Sequence, residues 1–178
     1  MSKLKKVYLK CMERLMRLAG KDYMPYRIEK YRLNGATIGE HVRAFSPISS
    51  HEPYLLTIGD NVTVATGVSF ITHDNSAIKL FDDATDFVGP ITIGRNVFIG
   101  ANSTLLPGVT IADDCVIGAG SVVTRSCPDQ GTVIAGNPAK PVGSVEKMRE
   151  KYAAYKFDFR HSCRRTEILN HRERWLSR

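Results

Sequence analysis

The feature that most constrains this chain is an apolar position that returns every sixth residue through its middle. From residue 93 onward the recurring side chains are, in order, Ile93, Ile99, Leu105, Ile111, Ile117 and Val123. Four places after each of the first five comes a second small or apolar set: Val97, Ser103, Val109, Cys115 and Ser121. The same pattern of a lead residue and a second residue four places later appears earlier, at Ile38, Ile58 and Val64 with Val42, Val62 and Val68, and Phe70 continues the lead positions. A period of six spreads apolar residues around an α-helix and is too long for a half-buried strand, so neither element buries this pattern.

A six-residue period fits a short strand followed by a corner, and three such units make one triangular coil of eighteen residues. Coils stacked about 4.8 Å apart place each inward side chain above its equivalent in the coil below. The residue after the inward position is small in most units (Gly94, Gly100, Ala112, Gly118), which lets the backbone turn at a corner without a clash. The sequence therefore predicts an all-β solenoid of parallel strands.

The flanks of the repeat have a different pattern. Residues 1–33 are predicted to be an N-terminal helical segment, because apolar side chains recur there at helical spacing: Leu4, Val7, Tyr8, Cys11, Leu15 and Leu18. Residues 34–142 are predicted to form the solenoid, with a loop at 74–89. Residues 143–178 are predicted to be a basic helical tail, with a helix from Val145 to Tyr155 capped by Ser144.

The net charge of +7 is unevenly distributed. Residues 1–32 carry +7, residues 33–142 carry −5 and residues 143–178 carry +5. An acidic centre, with no basic patch interleaved with aromatic residues, argues against nucleic-acid binding. The basic ends suit an anionic partner such as a membrane surface, CoA phosphates or a lipid-linked sugar, and they equally suit solvated helices.

The four cysteines (Cys11, Cys115, Cys127, Cys163) form no CxxC pair, which favours reduced thiols over a disulfide framework or a zinc site. The basic start of the chain is followed by no continuous apolar stretch, and no apolar run has the length that spans a bilayer. We therefore expect a cytoplasmic protein, with peripheral membrane contact through the basic termini as an open alternative.

Three segments resemble the hexapeptide-repeat acetyltransferases: Pro90–Gly94, Ile117–Thr124 and the run Gly136-Asn137-Pro138-Ala139-Lys140. The resemblance covers about residues 34 to 145 and is strongest to the galactoside/maltose and the capsular or lipopolysaccharide O-acetyltransferases. It implies a left-handed parallel β-helix, a homotrimer with active sites between subunits, and acetyl-CoA as co-substrate without a metal.

The repeat breaks between Phe70 and Ile93, which lie 23 residues apart, five more than one coil requires. The insert at residues 74–89 fits no six-residue phase, and a loop leaving a regular repeat is a natural place for a pocket. His73 lies where the chain departs. Taken alone, a histidine beside a loop is more often a structural or an exposed residue than a catalytic one. The resemblance implies that it is the general base, which deprotonates the acceptor and returns the proton to the CoA thiolate without a covalent enzyme intermediate.

Other site residues are weaker candidates. The carboxylates considered for orienting the His73 ring are Asp74, Asp82, Asp83 and Asp86. The candidates for substrate contact are Ser46, Asp74 and Asp83, with His51 and Glu52 either joining them or forming part of a loop. The resemblance places the cofactor contacts at Ala101, Ala119 and Thr124, and a CoA phosphate at Lys140. The alanines also suit plain corners, and Lys140 also suits a surface charge.

The acceptor is predicted to be a saccharide used in cell-surface polysaccharide synthesis, since the galactoside/maltose acceptor features are missing near residues 44–52. Three alternatives remain open: an N-acetyltransferase of an amino sugar or antibiotic, a non-catalytic β-helix scaffold, and a zinc hydrolyase of the γ-carbonic anhydrase kind. The zinc enzyme needs three converging histidines. The five histidines show no close pair on the coils: His41, His51, His73, His161 and His171.

Overall fold

The computed structural model describes residues 3–48, 50–160 and 164–176. Short parallel strands form three sheets, which are the three faces of one stack. The first face contains β1 (Thr37–Ile38), β3 (Leu56–Ile58), β8 (Ile91–Ile93) and β11 (Thr110–Ile111). The second face contains β2 (Arg43–Ala44), β4 (Thr63–Val64), β9 (Phe98–Ile99), β12 (Val116–Ile117) and β14 (Thr132–Gly136), with β15 (Ala139–Ser144) added antiparallel to β14. The third face contains β5 (Ser69–Phe70), β10 (Thr104–Leu105) and β13 (Val122–Val123).

The strand register confirms the eighteen-residue coil. Ile93 pairs with Ile111 on the first face, Ile99 pairs with Ile117 on the second, and Leu105 pairs with Val123 on the third. Each partner lies eighteen residues further along the chain, so the polypeptide passes through all three sheets before it returns to the first.

The side chains predicted to point inward form one continuous core. Ile99, Leu105 and Ile117 have no exposed surface, and burying each contributes about 1.5–3 kcal/mol. Ser103 and Ser121 are buried as well, and both hydroxyls donate hydrogen bonds to the carbonyl oxygen of Gly118, at 3.0 and 2.6 Å. The two serines of the second inward set are therefore compatible with the core, because their hydroxyl donors are satisfied.

The corners between faces are tight and repeat from coil to coil. A Cβ atom on Gly100 would lie 2.5 Å from the backbone nitrogen of Ala119, so only glycine fits there. Asn61 and Asn96 have left-handed backbones, with φ of 56°, a conformation that asparagine tolerates. Their side chains form a ladder: Asn61 Nδ2 donates to Asn96 Oδ1 at 2.8 Å, and Asn96 Nδ2 donates to Asp114 Oδ1 at 2.6 Å.

The excursion from the stack is larger than the sequence analysis predicted. Ile58 pairs with Ile93 and Phe70 pairs with Leu105, so these equivalent positions are separated by 35 residues instead of eighteen. The predicted excess of five residues is wrong, because Ile93 begins the next coil above Ile58 and does not lie above Phe70. The excursion is also partly ordered as a hairpin, in which β6 (His73–Asp74) pairs antiparallel with β7 (Phe87–Val88).

Two helices precede the stack, α1 (Lys3–Leu18) and α2 (Met24–Leu33). The predicted amphipathic helix is present as α1, but its predicted apolar stripe faces solvent. The side chains that α1 buries are instead Leu9 and Glu13. Glu13 accepts from Arg27 Nε of α2 at 2.6 Å and forms a second ion pair with Lys30, which ties the two helices together.

The C-terminal part adds a hairpin that the sequence analysis did not predict. β14 and β15 pair antiparallel and place Lys140 in a strand. The helix predicted from Val145 is α3 (Val145–Lys151), and Lys147 N donates to Ser144 Oγ at 3.3 Å, so Ser144 is its cap. Helix α4 (Arg164–Asn170) follows. In the part of the chain that the structure describes, four short 3-10 helices complete the elements: Pro53–Leu55, Asn75–Lys79, Ala153–Tyr155 and Arg172–Arg174. Among the described residues, every helix is too short or too polar to cross a bilayer.

Candidate active site

His73 lies at the end of the third face, where the chain leaves the stack. Its strand β6 is held against β7, and Gly89 N donates to the carbonyl oxygen of Thr72 at 2.9 Å as the chain returns. A Cβ atom on Gly89 would lie 2.5 Å from the backbone nitrogen of Gly108 in the next coil. The base of the hairpin is therefore pressed onto the stack, and His73 is fixed at a strand end instead of within a flexible loop.

A carboxylate from the preceding coil holds the His73 ring. His73 Nδ1 donates to Glu52 Oε2 at 3.0 Å, and Thr72 Oγ1 donates to the same oxygen at 2.6 Å. Ser50 Oγ forms a further hydrogen bond with Thr72 Oγ1. With its proton on Nδ1, the neutral ring keeps a lone pair on Nε2, the form that a general base requires.

The carboxylates predicted to orient the His73 ring do not make this contact. All four lie in the excursion: Asp74, Asp82, Asp83 and Asp86. Asp74 instead accepts from the backbone N–H of Ser76 at 2.9 Å and caps the 3-10 helix that follows it. The contact comes from Glu52, which the sequence analysis considered only for substrate. Glu52 belongs to the preceding coil and lies 21 residues before His73, so the contact is not visible within the sequence of the loop.

The pair has the electrostatics of a base and its orienting acid. The hydrogen bond to Glu52 raises the pKa of His73 above its ordinary value. The hydrogen bond from Thr72, and then that from His73, lowers the pKa of Glu52. Both side chains are partly accessible, 32% for His73 and 22% for Glu52. A proton carrier in contact with solvent and substrate must be accessible in this way.

A second histidine lies beside the first. The ring centroids of His51 and His73 are 5.1 Å apart in an edge-to-face arrangement, so these two histidines approach each other, although they are far apart in sequence. No third ligand completes a metal site: across residues 3–48, 50–160 and 164–176, no group of three or more His, Cys, Asp or Glu side chains is placed to hold a metal ion. His161 and Cys163 lie outside the described residues.

A cavity of about 580 Å³ adjoins His73. Its wall includes Phe45, Ser46, Ser50, His51 and Thr72. Ser46, a predicted substrate contact, is only 1% exposed, and its hydroxyl accepts from the backbone N–H of Val68 at 2.8 Å. Its hydrogen bond is thus already used in joining two coils. Asp83 is exposed on the excursion and does not line this cavity.

The predicted cofactor contacts lie elsewhere on the stack. Ala101 and Ala119 occupy equivalent corners between the second and third faces, where Gly120 N donates to the carbonyl oxygen of Ala101 at 2.8 Å. Thr124 follows β13 at the far end of the third face, and Lys140 is exposed on β15. All four are absent from the wall of the His73 cavity. Asn102, next to Ala101, donates its backbone N–H to the carbonyl oxygen of Thr66 in the cavity wall at 2.9 Å, so the first of these corners adjoins the coil that lines the cavity.

Comparisons with known proteins are consistent with this geometry. A family model described as the hexapeptide repeat of succinyl-transferase matches residues 90–125. Protein CapG of Staphylococcus aureus is 39% identical over 177 residues, which cover 96% of this chain and 92% of CapG. Galactoside O-acetyltransferase of Escherichia coli strain K12 is 38% identical over 116 residues, 65% of this chain and 57% of that protein. A solved structure of a galactoside acetyltransferase in complex with coenzyme A superposes with a TM-score of 0.60 at 26% identity, covering 89% of this chain and 90% of that one.

Proposed function

This chain belongs to the hexapeptide-repeat acetyltransferases, and we propose that it transfers an acetyl group from acetyl-CoA to a hydroxyl of a saccharide. The observation that carries the proposal is the Glu52–His73 pair, at 3.0 Å, beside a cavity. The relative named as a galactoside O-acetyltransferase and the neighbour solved with coenzyme A support the acceptor class and the co-substrate.

In the proposed reaction His73 is the only proton carrier. Its Nε2 takes the proton of the acceptor hydroxyl as the oxygen attacks the thioester carbonyl carbon. The carbon–sulfur bond then breaks, and the imidazolium returns its proton to the CoA thiolate. Glu52 stabilises the imidazolium between the two transfers and fixes the tautomer. The acetyl group passes directly from the thioester to the acceptor oxygen, so the reaction needs no covalent enzyme intermediate.

The winding of the stack is proposed to be left-handed, which makes it a left-handed parallel β-helix over residues 34–142 between the two helical flanks. The family match at residues 90–125 and the superposition with the galactoside acetyltransferase support this handedness. Ordinary parallel crossovers are right-handed, so strand pairing alone does not give it.

The co-substrate is proposed to lie along the corners of successive coils. Ala101 and Ala119, one coil apart, present small side chains there. Thr124 is exposed just after β13 of the third face. Lys140 is an exposed cation on β15, suited to a CoA phosphate. These four roles come from the resemblance, and the small, accessible corner residues are compatible with them.

A homotrimer with active sites between subunits is proposed as the active form, as the family resemblance implies. The four proposed cofactor residues do not line the His73 cavity of the single chain. The excursion carries large apolar side chains that are exposed in the single chain: Ile78, Leu80, Phe81, Phe87 and Val88. Packing this loop on a neighbouring copy would bury them and bring His73 of one subunit to the cofactor corners of the next.

The biological acceptor is proposed to be a saccharide of cell-surface polysaccharide synthesis, acetylated on the cytoplasmic side of the membrane. Free thiols at Cys11, Cys115 and Cys127 support a reducing compartment. The basic N-terminal segment supports peripheral contact with a membrane that carries a lipid-linked acceptor.

The test is acetyl transfer from acetyl-CoA to a panel of nucleotide sugars, lipid-linked oligosaccharides and amino sugars, read as a mass shift of one acetyl group. We expect an O-acetylated saccharide whose new ester is released by mild base. An amide product that survives mild base would contradict the proposed oxygen acceptor. Failure to acetylate any member of the panel would contradict the saccharide class.

A further inference from the structure

Helix α1 leaves a stripe of apolar side chains exposed. The stripe, called here the α1 stripe, consists of Val7, Tyr8, Cys11, Leu15 and Leu18, which share one face at helical spacing. Val7 is 60% exposed, Leu15 57% and Leu18 78%. Adjacent exposed apolar residues in this number mark a binding surface.

The packing of α1 explains why this face is open. Leu9 and Glu13, which lie on a different side of the helix, are the side chains that α1 buries. Glu13 is held by Arg27 and Lys30 of α2. The contact with α2 therefore fixes how α1 is rotated about its axis and turns the α1 stripe toward solvent.

The charges beside the α1 stripe identify its partner. One edge of the stripe carries a row of basic residues: Lys3, Lys6, Lys10, Arg14 and Arg17. Glu13 is the only acid within α1, and its carboxylate is already bound by two cations of α2. A second α1 helix would therefore bring cations against cations with no opposing carboxylate, whereas an anionic surface is complementary.

We infer that α1 lies in the interface of an anionic lipid membrane, with the α1 stripe among the acyl chains and the basic row at the headgroups. Apolar side chains on one face and Lys/Arg along its border are what a helix lying in the plane of a membrane requires. Each basic residue near an anionic surface strengthens binding about fivefold. The inference deepens the peripheral membrane contact proposed above by naming the element that makes it, and it does not depend on the acetyl-transfer chemistry.

The experiment is co-sedimentation of the full chain with vesicles of phosphatidylcholine alone and with vesicles of equimolar phosphatidylcholine and phosphatidylglycerol. We expect binding to the mixed vesicles that weakens as salt is raised, and little binding to the neutral ones. Val7→Glu and Leu15→Glu each place a charge where the inference puts an apolar side chain among the acyl chains. Each should lower the partition coefficient at least about tenfold. Lys10→Gln with Arg14→Gln should lower it about thirtyfold on anionic vesicles.

Val142→Glu is the matched control, since Val142 on β15 is 64% exposed and lies far from α1 in sequence. The control should bind vesicles like wild type, and circular dichroism should show all variants folded. Absence of binding to mixed vesicles, equal binding to neutral ones, or an equal loss in Val142→Glu would each overturn the inference. A lower sedimenting mass for Val7→Glu without vesicles would do the same, because it would show that the stripe packs on a second copy.

The membrane role and the catalytic role separate in the same variants. If both proposals hold, Leu15→Glu keeps its acetyl transfer to a soluble acceptor, and His73→Ala keeps its vesicle binding while losing acetyl transfer. If the wild-type protein transfers acetyl groups but does not bind vesicles, only the membrane inference is overturned. If it binds vesicles but transfers no acetyl group, only the enzymatic proposal is overturned.

Discussion

A single oxygen of Glu52 determines how the base is held. It accepts from both Thr72 Oγ1 and His73 Nδ1, so the carboxylate cannot turn away without losing two hydrogen bonds. Hydrogen bonds to a charged acceptor are stronger than those between neutral groups, although access of water weakens them at a partly open site such as this one. Glu52 is therefore a positioning residue, which acts on the reaction through His73.

Replacing Glu52 by glutamine should shift the pH dependence of acetyl transfer. In the proposed mechanism His73 works as the neutral base, so we expect kcat/KM to rise with pH through its pKa. Glu52 raises that pKa, and its removal should return the acidic limb to lower pH while the plateau falls because the ring is less well oriented. The measurement is kcat/KM against pH for wild type and Glu52→Gln. An unchanged midpoint with a lower plateau would indicate a merely structural role for Glu52.

Among the strand elements, alternate residues differ sharply in their importance. In β11 Ile111 is 1% exposed and stacks in the core, whereas its neighbour Thr110 points outward. Each coil contributes only two or three residues to each face, so every inward side chain is in contact with those of the coils above and below.

Ile111→Ala should therefore lower the free energy of unfolding by about 2–5 kcal/mol, through the lost apolar burial and the cavity left behind. Thr110→Ala, in the same strand, should change it by no more than about 0.5 kcal/mol. Chemical denaturation of both variants beside wild type makes the comparison. Equal effects in the two variants would contradict the inward stack.

The elements also show what the sequence can predict. The inward stack follows from the sequence, because a six-residue period admits few other folds. The role of Glu52 does not follow from the sequence. Ile38 pairs with Ile58, which lies twenty residues later instead of eighteen, so the first coil is out of phase with the others. The six-residue spacing alone therefore does not predict that Glu52 contacts His73. The helical period of α1 predicts the helix but not its rotation, which depends on the ion pairs of Glu13 with α2.

At the scale of the whole molecule, the proposed active form is a homotrimer with sites shared between subunits. In that trimer His73 of one subunit faces the cofactor corners of the next, and these corners do not line the His73 cavity of the single chain. The proposed surface for self-association is the exposed apolar loop, and the proposed contacts with anionic partners are the basic flanks.

The trimer predicts a sedimenting mass three times the chain mass of 19.8 kDa. Leu80→Glu places a charge on the exposed loop and should release monomers that have lost acetyl transfer. Val142→Glu, equally exposed but outside the loop, should remain trimeric and active. Analytical ultracentrifugation together with an activity assay measures both properties, and a fully active monomer would contradict the shared site.

The most direct test of the account is the rate of acetyl transfer by His73→Ala against wild type, with His51→Ala as the neighbouring-histidine comparison. Loss of the general base should lower kcat by about a hundredfold or more, with coenzyme A binding retained. The account predicts a much smaller loss for His51→Ala, because His51 does not share the Glu52 hydrogen bond. Acetyl transfer by His73→Ala at the wild-type rate would contradict the central claim that His73 carries the proton.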